Sequence, residues 1–201
     1  DFKSHLSKST KRDRAYLTAL AMASLALRAQ ERVGLIGSPH KASHARGALV
    51  PMATWLLRNE GASLPQSQHL QKFSSVVLLG DFLEKPEDIA ATVRSLASRG
   101  VSGHIVQIND PAEETLPYDG RIEFRAMDGP LKYLAGKTEL LRDAYGEKFA
   151  AQREAVRRIA HGVSWTFTLH HTDQSPAKLL MMLHGLIGGA KSRAFDLGGI
   201  A

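Results

Sequence analysis

Side chains able to hold a ligand stand at the ends of apolar runs in this sequence. Asp81 ends Ser75-Val76-Val77-Leu78-Leu79-Gly80, and Asn109 and Asp110 end Gly103-His104-Ile105-Val106-Gln107-Ile108. His171, Thr172 and Asp173 follow Ser164-Trp165-Thr166-Phe167-Thr168-Leu169-His170. Carboxylate, amide and hydroxyl oxygens of this kind suit Mg²⁺ or Ca²⁺ better than a transition metal. The same residues have an ordinary structural use, because Asp and Asn start turns and cap helices where strands end. His170 and His171 invite a zinc or general-base reading, yet neighbours on a strand face opposite sides and cannot readily share one metal. His104 and His161 read as packed or solvated. No HExxH, GxSxG, Walker or GxGxxG pattern occurs, so nucleophilic catalysis and nucleotide binding lack motif support. There is no cysteine, which excludes a disulfide, a thiolate metal site and a thiol nucleophile.

The elements that must position these groups alternate between strand and helix. A short unbroken apolar run such as 75–80 reads as a strand buried on both faces. After it, Pro86, Glu87 and Asp88 open a helix by fixing φ and by complementing its positive end. Ile89, Val93, Leu96 and Ala97 form its inward stripe, and Gly100 stops it. Residues 13–28 read as a helix with Leu17, Leu20, Ala21, Ser24 and Leu27 inward, and 32–37 as a short buried strand. The loop from Ser38 to Gly47 reads as a hairpin or exposed connection. Residues 50–59 form a helix burying Met52, Trp55 and Leu56, with Gly61 as its C′ residue. Residues 111–136 are an excursion containing a hairpin strand at 121–125. A long helix over 138–162 buries Leu141, Tyr145, Phe149, Gln152, Val156 and Ile159. Ser175 caps a last helix with Pro176 at its first position and Leu179, Leu180, Leu183 and Leu186 inward.

The alternation predicts an α/β fold with a three-layer, doubly wound, mostly parallel sheet. In such sheets ligands collect beyond the carboxyl ends of the strands, where Asp81 lies. A chain of 201 residues can bury one sizeable core. The reading is one domain over residues 1–187 and a frayed tail over 188–201. The net charge of +6 leaves an acidic partner open. The basic clusters Lys8, Lys11, Arg12, Arg14 and Arg153, Arg157, Arg158 nevertheless read as solvated faces, the second interleaved with Glu147 and Glu154. Exposed aromatics of the nucleic-acid-binding kind are not evident, so nucleic acid is an unfavoured partner. No apolar run reaches the roughly 20 residues of a membrane span, and the polar start at Asp1 does not resemble a secretory signal.

Several of these runs resemble a known family. Residues 28–35, Arg-Ala-Gln-Glu-Arg-Val-Gly-Leu, look like a helix-to-strand join of bacterial von Willebrand factor A-like proteins. Residues 76–83, 103–114 and 165–173 resemble the domain-of-unknown-function family numbered 58, most specifically in Asp110-Pro111-Ala112-Glu113-Glu114 and His170-His171-Thr172-Asp173. The resemblance covers about residues 13–187. It implies a Rossmann-like A domain, often encoded beside a MoxR-type AAA+ ATPase, with adaptor or chaperone-like work rather than catalysis. It also implies Mg²⁺ at an adhesion-type site, in which Asp81 matches the later strand-end aspartate and Ser63 stands where a threonine is expected. The Asp-x-Ser-x-Ser motif of that site does not occur, and Asp173-Gln174-Ser175 is at the wrong end. The first, central strand of such a domain is missing from this chain, which reads as an N-terminally incomplete A domain.

The function expected from this is a non-enzymatic, cytoplasmic protein-interaction domain that requires no cofactor, with Mg²⁺ as an optional ligand at Asp81. The alternative is a Mg²⁺-dependent hydrolase or phosphoryl-transfer enzyme using Asp81, Asp110 and a histidine. A complete acid–base or nucleophile set around one pocket would separate the two.

Overall fold

The computed structural model describes residues 9–59, 64–65, 70–115, 123–125, 132–134 and 138–197. It is a mixed α/β structure around a small open sheet of parallel strands, ordered β1 (Ser75–Gly80), β2 (Ser102–Asn109), β5 (Thr166–His171). A separate antiparallel hairpin pairs β3 (Glu123–Arg125) with β4 (Lys132–Leu134) inside the predicted excursion. The helices are α1 (Lys11–Arg28), α2 (Leu49–Arg58), α3 (Pro86–Ala97), α4 (Pro111–Thr115), α5 (Thr138–Gly162) and α6 (Pro176–Leu197).

Strand alternation divides the core in two. Val76, Leu78 and Ile105 join Ile89, Val93 and Leu96 of α3 and Val156 and Ala160 of α5. On the opposite face Val106 and Ile108 pack with Leu179 and Leu183 of α6, with Ala15 and Met22 of α1 against them. Helices therefore cover both faces, and each fully buried aliphatic chain contributes about 1.5–3 kcal/mol. Of the predicted inward residues of α3, Ile89, Val93 and Leu96 are buried and Ala97 is partly so, and the Leu179–Leu183 pair of α6 is buried as expected. Trp165 closes the first core. It lies so near Gly103 of β2 that a Cβ there would fall 2.0 Å from its ring.

Helix ends are set by local chemistry. Thr10 and Asp13 form a capping box, with Asp13 N–H donating to Thr10 Oγ1 at 3.0 Å and Thr10 N–H to Asp13 Oδ2 at 3.2 Å. At the other end of α1, Gln30 adopts φ 61°, and its N–H and that of Glu31 donate to the Leu27 and Ala26 carbonyls. This is the Schellman arrangement with glutamine in the left-handed position that glycine usually fills.

The structure corrects several expectations. Residues 32–37 are not a strand; a single antiparallel bridge joins Val33 to Ser43. Leu17 is half exposed, and the buried side of α1 consists of Arg14, Thr18, Ala23 and Leu27. Arg14 is thus a buried residue and not part of a solvated cluster. Helix α6 runs on to Leu197, where a frayed tail was expected from residue 188. Residues 61, 63 and 121–122 lie outside the described residues, so the expectations for Gly61, Ser63 and the start of the hairpin strand are not addressed.

Candidate functional site

Because the strands are parallel, their carboxyl ends share one edge. Register pairs Gly80 with Gln107 and Asn109 with His171, so Asp81, Asn109, Asp110, His171, Thr172 and Asp173 stand along that edge as predicted. The first turn of α1 also reaches it, a placement the sequence reading missed. The capping box puts Lys11 at the first position of α1, the positive end of the helix dipole, where a cation is unfavourable without anionic partners. Lys11 Nζ has two: it donates to Asp81 Oδ2 at 2.9 Å and to Glu113 Oε1 at 2.6 Å. The Lys11 and Glu113 side chains each retain 11% exposure and Asp81 retains 39%. Burial works against the ammonium charge, but the Asp81 and Glu113 carboxylates outweigh it and hold the Lys11 pKa above its ordinary value.

Asp110 is completely buried and acts as a helix cap. Its Oδ1 accepts from Ala112 N–H at 2.9 Å and its Oδ2 from Thr172 Oγ1 at 3.2 Å. Glu113 Oε2 accepts from Asp110 N–H at 3.3 Å, completing a capping box around Pro111. The Asp-x-x-Glu spacing with Pro at the second position is the signal that could have located Glu113 in the sequence. Thr172 N–H donates to the Asn109 carbonyl at 2.9 Å, carrying the β2–β5 pairing one residue past the strands.

Beside this lies a second charged group. Glu114 Oε1 accepts from Arg153 Nη1 at 3.0 Å and from Asn109 Nδ2 at 3.2 Å, and Glu114 Oε2 is 3.1 Å from His171 Nε2. Arg153 therefore belongs to the site. Arg157 lies with its guanidinium 5.4 Å from the Phe167 ring centroid and 3.6 Å from Glu154 Oε2, the salt-bridged face expected there. Tyr145, stacked on Phe149 with centroids 6.0 Å apart, has its pKa raised by burial and then by the Glu113 charge, with Lys11 opposing.

The adjacent histidines separate as alternation predicts. His170 faces α1, where its Nε2 lies 3.4 Å from Arg14 Nη1. A guanidinium only donates, so this contact requires an unprotonated Nε2. Burial first, and then the Arg14 charge, lower the His170 pKa to about 4. Arg14 is held by backbone carbonyls beyond β5, Thr172 at 2.6 Å and Gln174 at 2.7 Å. Its N-terminal turn thus clamps α1 onto the strand ends through both cations, Lys11 and Arg14.

Two buried amides complete the edge. Gln107 Nε2 donates to the Asp81 carbonyl at 2.9 Å, while Gln107 Oε1 and Asn109 Oδ1 have no hydrogen-bond partner among the described residues. Gln152 of α5 binds the turn after β1, donating to the carbonyls of Phe82 at 2.7 Å and Glu84 at 2.8 Å. Those two bonds hold Phe82 at φ 52°, a strained conformation for a side chain of that size.

A magnesium ion does not fit this arrangement. Asp81 Oδ2 already accepts from an ammonium, and both Asp110 oxygens are engaged by protein donors. Among the described residues no group of three or more histidine, aspartate or glutamate side chains could hold a metal ion. The edge instead fixes three segments of chain by charge, and Leu83, Lys85, Asp173 and Gln174 are exposed along its rim. Among the described residues no helix is long and apolar enough to cross a membrane.

No curated protein matches this chain, and no solved structure matches it. The family model described as protein of unknown function DUF58 matches residues 1–155. That is more than half of the 201 residues, and the chain belongs to the DUF58 family.

Proposed function

We propose that this chain is a non-enzymatic, cytoplasmic protein-interaction domain that works without a cofactor, built on a von Willebrand factor A-like, doubly wound plan. The partner class is the MoxR-type AAA+ ATPase that the family resemblance implies. One observation carries the reading: the strand-end groups that a hydrolase would need are engaged with one another. Lys11 bridges Asp81 and Glu113, Thr172 and Ala112 bind Asp110, and His171 lies on Glu114. A general base or metal ligand must be able to reach a substrate, and each of these faces a protein group. What the edge offers outward is a mixed rim of apolar and charged side chains, Leu83, Lys85 and Asp173, around the partly exposed Asp81. Interface anchors are commonly such protruding apolar residues ringed by polar ones.

The test is binding of the chain to a purified MoxR-type ATPase, measured by biolayer interferometry for the wild type and for Leu83→Asp. Leu83 is 52% exposed, so the substitution leaves the core intact. A loss of about tenfold or more in affinity is expected. Equal affinity of the two proteins would remove the rim from the interface, and turnover of a phosphate ester by the chain would overturn the non-enzymatic reading.

A further inference from the structure

The net charge of +6 is unevenly spread along the chain. Of 20 acidic residues none lies between Glu31 and Glu60, a stretch that carries Arg32, Lys41, Arg46 and Arg58 together with His40 and His44. We propose that the groove between α2 and the loop at 33–48 binds an acidic peptide segment of a protein partner, one that also bears apolar side chains. The inference is independent of the strand-end rim, because none of the rim residues lines this groove.

Two cavities of about 330 and 440 Å³ adjoin to form the groove, sharing His40 and Pro51 in their walls. Each holds a cation, Lys41 in the first and Arg58 in the second. Both are exposed, and among the described residues neither pairs with a carboxylate. Trp55 and Val50 line the second cavity beside Arg58. Val50 is 71% exposed and Leu57, one turn on from it twice over in α2, is 75% exposed. Apolar surface and uncompensated positive charge therefore stand side by side. A chain of mixed acidic and apolar residues answers both, its carboxylates meeting the cations and its apolar groups taking Val50 and Trp55 out of water.

The groove is also set in advance. Val33 and Ser43 exchange two backbone hydrogen bonds across the loop, each 2.9 Å, and Arg32 Nη2 donates to the Ala42 carbonyl at 3.0 Å. Walls already fixed lose little conformational freedom on binding. Concavity favours a peptide over other anionic partners. Single-stranded nucleic acid stacks its bases on a series of aromatic rings, and Trp55 is the one phenylalanine, tyrosine or tryptophan between Glu31 and Glu60. An anionic bilayer takes a protruding apolar helix face, whereas cavities of this size accept individual side chains.

The experiment follows fluorescence anisotropy of a labelled peptide of alternating glutamate and leucine as the chain is titrated in. The wild type is expected to bind it, with affinity falling as NaCl is raised. Lys41→Glu/Arg58→Glu is expected to weaken binding by about tenfold or more, and Val50→Ser by about fivefold. Lys41, Val50 and Arg58 are all exposed, so these substitutions leave the core intact. Leu83→Asp on the strand-end rim is expected to bind as the wild type does, which separates this site from the rim. The proposal is overturned if the wild type does not bind the peptide, if the charge-reversed variant binds as tightly, or if a glutamine–leucine peptide binds equally well. Tighter binding of phosphatidylserine vesicles or of a single-stranded DNA oligonucleotide than of the peptide overturns it too.

Discussion

Lys11 Nζ donates to Glu113 Oε1 at 2.6 Å across 102 residues of sequence, tying the first turn of α1 to α4 beyond the central strand. Both side chains are nearly buried, so the loss of one partner strands a charge in a poorly solvated place. Breaking such a pair costs about 3–5 kcal/mol. Lys11→Met should lower stability by about that amount in urea unfolding, and Glu113→Gln by less, because Lys11 keeps Asp81 as an anionic partner. The double substitution should cost less than the sum, since it leaves no uncompensated charge of the pair. Additive losses would mean that the two groups do not interact in solution.

Gly103 and Trp165 make a second contact with a sharp consequence. Gly103→Ala would put a methyl group 2.0 Å from the indole, and Trp165 is buried between β2 and the core of α5. Overpacking of this kind costs about 1–3 kcal/mol and occasionally more. The expected result is a lower urea midpoint with a shifted tryptophan emission. Unchanged stability would show that the indole can move aside freely.

His170 makes stability depend on pH. Its folded pKa of about 4 lies below the unfolded value of about 6.5. The unfolded chain therefore takes up a proton in a range where the folded chain does not. The contribution is complete above about pH 6.5 and is lost as pH falls toward 4, amounting to about 3 kcal/mol. His104, whose pKa is also lowered by burial, acts in the same direction. His170→Gln should flatten the difference in urea midpoint between pH 7.5 and pH 4.5 relative to the wild type. An equally steep fall in both proteins would assign the effect to other groups.

The strand-end edge could be read from the sequence because its two signals coincide, a short apolar run and a polar residue directly after it. That signal marks Asp81, Asn109, Asp110, His171, Thr172 and Asp173, which stand at the carboxyl ends of the parallel strands. What joins them was not legible. Lys11 and Arg14 look like surface cations, and their burial depends on carboxylates and carbonyls that only the folded topology brings near. Hydrophobic periodicity also misplaces the buried side of α1, since Arg14 and Thr18 occupy it through hydrogen bonds while Leu17 is half exposed. The false strand at 32–37 has the right composition but only Ser43 to pair with. The continuation of α6 to Leu197 passes through Gly188 and Gly189, residues that weaken a helix by about 1 kcal/mol each relative to alanine and so suggested its end.

The most direct test of the account is hydrogen exchange of the chain alone and in complex with a MoxR-type AAA+ ATPase. The account predicts slowed exchange at residues 82–85 and 173–175, the exposed rim beyond β1 and β5, with the sheet itself unchanged. No complex, or protection confined to the face formed by α2 and the loop at 33–48, would contradict it.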